Sequence, residues 1–198
     1  MNIQLITAPV LEPILLSELK LHLRLDSDAI EEDEYLEGLI KTAREQVEDW
    51  TGRQIMTATW DYSIPGWPRT NFIKLPGGNL QTVTSIVWLD TDGVSTTLVV
   101  GTDYLVETNG PGIGRIVLPF SVTWPSWTLY PSNPITIRYV SGWATADLVP
   151  YQIKAAIKML CAKLYESRGE DQVGNITVVE DQTAQRLLYS QRLWDDFI

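Results

Sequence analysis

Few residues in this chain have the types and spacing that chemistry would need. The densest group is acidic: Asp26, Asp28, Glu31, Glu32, Asp33, Glu34 and Glu37. Asp26, Asp28 and Glu37 fall on positions one, three and twelve of an EF-hand count, but Ile30 stands at position five and Glu31 where the sharp turn requires glycine. The group therefore reads as an acidic edge facing solvent, an interface or the lumen of an assembly, rather than as a calcium loop. His22 is the only histidine. A Ser-His-Asp site would have to use it, yet no Gly-x-Ser-x-Gly elbow is present, and there is no second histidine to make a zinc pair. Among leucines, His22 reads as structural. The run Gly110-Pro111-Gly112-Ile113-Gly114 lacks the following Lys-Ser/Thr of a P-loop and precedes a strand, so it reads as a turn. Cys161 sits on an apolar helix face, where a buried, inert thiol is expected. No catalytic residue, metal ligand or cofactor is assigned, and the chain does not read as an enzyme.

The elements that carry these residues change period along the chain. Residues 33–50 (DEYLEGLIKTAREQVEDW) place Leu36, Leu39, Ile40, Ala43, Val47 and Trp50 at spacings of three and four, which predicts one wide apolar stripe on a helix. Acidic residues lie at its positive N-terminal end, and Thr51-Gly52 supplies the stop. Residues 1–13 read as an extended lead-in. Residues 15–25 fit both a strand and a helix, and Ser17 as N-cap tips the reading to a short helix. From Thr57 the period becomes two, and about seven short strands follow, enough for a compact antiparallel sheet or a small barrel. Asp90-Thr91-Asp92-Gly93 and Asn109-Gly110-Pro111-Gly112 mark hairpin turns. Helical period returns at residues 151–167, capped by Asp147, with Ile153, Ala156, Ile157, Leu160, Cys161 and Leu164 as the apolar face. Residues 170–182 are polar and hold the β-like run 176–179. Residues 183–194 can form a last helix.

Composition narrows the function. The 198 residues suit one domain, or one domain carrying a large insertion. No run approaches the roughly eighteen apolar residues of a membrane span. The N-terminus does not read as a signal peptide, and a single cysteine excludes a disulfide framework, so the chain reads as intracellular in origin. A net charge of -10 argues against phosphate-backbone binding, but suits a surface that DNA slides past without sticking. Of the eight tryptophans, Trp60, Trp67, Trp88, Trp124, Trp127 and Trp143 fall in or beside the β-rich passage. Core packing and subunit contact outweigh a sugar-stacking platform as their role.

Several stretches taken together carry a resemblance. Glu12-Pro13 is followed by Leu16-Ser17-Glu18-Leu19-Lys20 and by Leu23-Arg24-Leu25-Asp26. Next come Leu39-Ile40-Lys41-Thr42-Ala43-Arg44 and Val47-Glu48-Asp49-Trp50-Thr51-Gly52-Arg53. Ile73-Lys74-Leu75-Pro76, Val83-Thr84-Ser85-Ile86, Gly114-Arg115-Ile116, Trp124-Pro125, Val140-Ser141-Gly142-Trp143 and Val149-Pro150 with Ile153-Lys154 and Ala156-Ile157 complete the series. In order and spacing this resembles the head–tail connector, or adaptor, proteins of tailed bacteriophages and prophages, as far as about Arg168.

The resemblance implies an α+β fold, with a small helical bundle (residues 1–56 and 144–169) and a large antiparallel β-rich insertion (57–143); beyond it, residues 170–198 read as a flexible C-terminal arm with a terminal helix. It implies a dodecameric ring of this chain in the virion neck. That ring would sit under the portal protein, extend the DNA channel without binding DNA specifically, and dock neck and tail-completion proteins, away from any membrane. Val173, Ile176, Val178, Val179, Leu187, Leu188, Trp194 and Phe197 are the expected portal or subunit contacts. The acidic residues from Asp26 to Glu37 are the expected lumen or interface edge. The alternative is a carbohydrate-binding β module of a phage tail or surface protein.

Overall fold

The computed structural model describes residues 2–126, 128–167 and 182–193. The chain forms two compact units: Met1–Val10 with Met56–Trp143, and Leu11–Ile55 with Ala144–Ile198. The first is β-rich and the second helical.

In the helical unit, α1 (Leu16–Leu23), α2 (Asp33–Thr51), α3 (Tyr151–Glu166) and α4 (Gln182–Leu188) pack together. The ambiguous leucine run is helical. Leu19 is buried while Leu21 points outward at 81% exposure, which strand-like alternation with Leu23 would not give. Its cap differs from expectation. Leu15 is the N-cap and Ser17 lies inside the first turn, making no capping bond. Arg24 adopts φ 58, and Leu25 N–H donates to the Lys20 carbonyl, closing the helix in a Schellman-type end. Helix α2 buries the predicted stripe from Leu36 to Val47, with Trp50 half-buried, and stops at Gly52 with φ 67. Helix α3 buries Ile153, Ala156, Ile157, Leu160 and Cys161. Asp147 does not cap it. Pro150 does, because proline disfavours helical geometry in the residue before it, and Val149 is held extended at ψ 127. Asp147 lies instead in a separate single turn, Ala146–Leu148.

In the β unit, every ladder is antiparallel. Five strands run in the order β1 (Asn2–Thr7), β2 (Ala58–Ile64), β8 (Ile135–Ser141), β4 (Leu80–Leu89), β5 (Ser95–Thr97). Three more run β3 (Phe72–Lys74), β7 (Arg115–Val117), β6 (Leu105–Glu107). The passage is thus two sheets. Alternation along β8 turns Ile135, Ile137 and Tyr139 inward, where they meet Tyr62, Ile64, Ile73, Leu75, Ile86 and Ile116 in one core. The lead-in is not free chain: residues 2–7 pair with β2 and lie with the sheet, not with the helices. Strand β5 stops short of Val99 because the backbone turns after Leu98, where Val99 N–H is taken by Asp103 Oδ2. Both predicted hairpin turns are present. Asp90 Oδ1 accepts the N–H groups of Asp92 and Val94 while Gly93 takes φ 77, and Asn109 and Gly110 both take positive φ.

Gly142 follows β8 at φ 106, and a Cβ there would stand 2.4 Å from the Met56 carbonyl oxygen. That neighbour is backbone and cannot swing aside. Gly142→Ala is expected to lower unfolding free energy by about 3 kcal/mol or more, read by urea denaturation, through strain and clash together. In the helical unit, Cys161 is fully buried and burial pushes its thiol up to about 12. A thiol reagent at pH 8 should label it only at the rate at which α3 is released, rising steeply near the urea midpoint.

Candidate functional site

The acidic edge is split by the fold into two sets. Asp26, Asp28, Glu31, Glu34 and Glu37 are exposed, on the α1–α2 connection and the first turns of α2. Glu32 and Asp33 are half-buried and hold the connection in place. Glu32 accepts the Tyr165 hydroxyl at 2.7 Å, tying α3 to the start of α2. Asp33 meets the Lys20 ammonium at 2.5 Å as an ion pair rather than an aligned hydrogen bond. The same ammonium donates to the Ala29 carbonyl at 2.6 Å, so a largely buried lysine folds the loop around itself. The anchored carboxylates leave the other five projecting into solvent. Among the described residues, no group of three His, Cys, Asp or Glu side chains is placed to hold a metal. His22 is exposed on α1.

The helical unit also contains a charged centre that periodicity alone does not reveal. Arg44 is 5% exposed, in line with Ile40 and Val47 on the apolar stripe. Its Nε donates to Glu12 Oε2 at 2.8 Å and its Nη1 to Glu48 Oε2 at 2.7 Å. Glu48 Oε1 accepts the Gln54 side-chain amide at 2.7 Å and the Ile55 N–H at 2.9 Å. Burial by itself would lower the Arg44 guanidinium, but Glu48 and Glu12 more than offset this and hold it above the ordinary arginine value. For Glu48, burial prevails over Arg44 and the Ile55 N–H and raises the carboxyl above its usual range. The signal for this centre lay in the sequence as a charge on an apolar stripe with an opposite charge four residues on.

The expected contact residues fare unevenly. Leu188 is buried at 3% exposure, so it secures α4 inside the helical unit and presents no docking face; Leu187 is half-buried. Val173, Ile176, Val178, Val179, Trp194 and Phe197 lie outside the described residues. Beside Leu188, a cleft of about 360 Å³ is lined by Asp49, Trp50, Gln185, Tyr189 and Arg192. Among the tryptophans, Trp88 is buried, and Trp67 and Trp124 stack on each other at 5.0 Å and 6° while packing against the sheet core. Each ring of that pair thus already gives one face to the other, and the Trp124 indole N–H donates to the Thr70 carbonyl at 2.8 Å. Trp127 lies outside the described residues.

Residues 13–86 match the family model described as "Phage gp6-like head-tail connector protein". Over these residues the resemblance read from the sequence holds. The match spans α1, α2 and β2 to most of β4, and includes Arg44 and Glu48. Among solved structures, a chain of "Neck of empty GTA particle computed with C6 symmetry" superposes with a TM-score of 0.76 at 20% identity, covering 98% of this chain and 96% of that one. A chain of the virion of a native gene transfer agent particle gives 0.75 at 21% identity with the same coverage. A third, from the neck of the native particle computed with C12 symmetry, gives 0.72 at 20% identity. These likenesses show that the α+β fold is shared along nearly the whole chain. No curated protein matches.

Removing one member of a buried charge network leaves the other uncompensated. Arg44→Met is expected to lower unfolding free energy by about 3 kcal/mol at pH 7. The deficit should shrink as pH falls toward 4. A carboxyl whose folded value is raised stabilises the fold below its unfolded value, 4.5, and loses that contribution as pH rises through the folded one. Without the arginine, that raise is larger. Urea unfolding of both proteins across this range measures it.

Proposed function

We propose that this chain is a structural head–tail connector of a tailed phage, prophage or related particle, located in the virion neck. The observation that carries the reading is the coincidence of two independent likenesses. A connector family model matches residues 13–86, and the fold matches neck chains along 98% of the sequence. Copies of the chain form a ring beneath the portal, dodecameric in the form implied by the sequence resemblance, extend the DNA channel and receive the tail-side proteins. Its role is architectural, not enzymatic. Within the C-terminal arm, residues 170–198, α4 is packed in the helical unit through Leu188, so the polar stretch ahead of it is the part assigned to the portal or a neighbouring copy.

The exposed carboxylates from Asp26 to Glu37 are assigned to the lumen. The projecting acids, on a chain of net charge -10, would repel passing DNA and keep it from adhering. Neighbouring acidic residues make that repulsion collective, and it weakens as salt rises.

Electron microscopy of particles from a strain carrying an early stop codon in this gene tests the reading. DNA-filled or leaking heads beside free tails are the expected result. Normal tailed particles that fail only to adsorb would overturn it in favour of a glycan-binding module. In wild-type particles, a neck reconstruction that puts residues 26–37 on the outer wall would overturn the lumen assignment alone.

A further inference from the structure

The five-stranded sheet has two open edges, and their chemistry is unusual for edges left to solvent. Strand β1 forms one: among the described residues Asn2–Thr7 pairs only with β2, and all six of its residues are exposed. Ile3, Leu5 and Ile6 stand at 45, 44 and 41% exposure. The strand holds no charged residue and no proline, and its ladder is regular from Asn2 to Leu5 before a single irregularity at Ile6. Such an uncharged apolar edge presents a row of unpaired backbone donors and acceptors, the template on which another strand adds. At the other end of the sheet, β5 (Ser95–Thr97) pairs, among the described residues, only with β4 and is exposed throughout. Val94, Val99 and Val100 flank it at 57 to 61% exposure, again without a charge between them.

We propose that β1 of one copy adds to β5 of the next, so that the sheets of neighbouring subunits join edge to edge around the ring. The occupant is a second copy of this chain for three reasons. Both edges belong to one sheet, so joining them is head-to-tail, the arrangement that repeats and can close. Both are uncharged in a chain of net charge -10, so copies meet where mutual repulsion is least. The strand directions also fit. With five strands all antiparallel to their neighbours, β1 and β5 run the same way. Copies related by rotation about a ring axis therefore present these edges as a parallel pair, without inverting a subunit. The pairing gives backbone partners to both edges, Asn2–Thr7 in one copy and Ser95–Thr97 in the next. The inference rests on the connector reading, because a ring supplies the repeated neighbour.

Disulfide trapping in assembled particles tests it. Gln4→Cys is combined in turn with Ser95→Cys, Thr96→Cys or Thr97→Cys, since paired strands bring Cα atoms within the roughly 4.4–6.8 Å that a disulfide spans. Purified particles are oxidised, denatured and run without reductant. A ladder of covalent multimers beyond the dimer, for at least one pair and for neither of its single variants, is the expected result. A dimer from Gln4→Cys alone would overturn the proposal in favour of a two-fold β1–β1 contact. Protein present in the particles but monomeric with every pair would overturn the edge pairing and leave the connector reading standing. Absence of the protein from the particles would overturn both.

Discussion

The helical unit depends on burying one guanidinium between two acids without leaving it short of partners. Arg44 reaches Glu12 near one end of the unit's first segment, while Glu48 holds Gln54 and Ile55 near the other end. These are the places where the chain passes to and from the β unit. A hydrophobic stripe fixes which face of α2 is inside, but it is tolerant of small shifts along the helix axis. A network with directional bonds is not, since each displaced atom leaves a buried charge or carboxyl oxygen unmatched. Within the helical unit, Arg44 and Glu48 thus hold both ends of this segment to α2.

A similar division recurs at the acidic connection. Two of its carboxylates are used inward, on Lys20 and Tyr165, and set the shape from which the other five project. Structure and surface charge come from the same short run of acids. Glu32 and Asp33 thus have a structural use, while the EF-hand-like spacing of Asp26, Asp28 and Glu37 lacks the glycine that such a loop needs.

In the proposed ring, the sheet of one copy need not satisfy its own edges. The core of the β unit is closed by Ile135, Ile137, Tyr139 and their partners, whereas β1 and β5 are left open at the ends. A solitary protein would guard such edges with charge or proline. A connector can instead leave them for its neighbour, which ties the ring proposal to the composition of two short strands.

How much was legible in the sequence follows from the range of the forces involved. The stripe of α2, the apolar face of α3, the Gly52 stop and the two hairpin turns were readable because period and turn chemistry are local. The Ser17 and Asp147 caps were misplaced because competing local choices, Leu15 extended and Pro150 restricting Val149, decide helix starts within a residue or three. The strand at residues 2–7 was read only as an extended lead-in because its partner, β2, lies more than fifty residues away in sequence. Likewise Arg44 was visible as a charge on a stripe, but Glu12 and Glu48 became its partners only through tertiary packing. Sequence by itself determined the element types, the absence of a familiar catalytic motif and the acidic character. Which carboxylates are anchored and which project, and which strand edges stay open, only the tertiary structure decided, because these depend on groups far apart in the chain being brought within hydrogen-bonding distance.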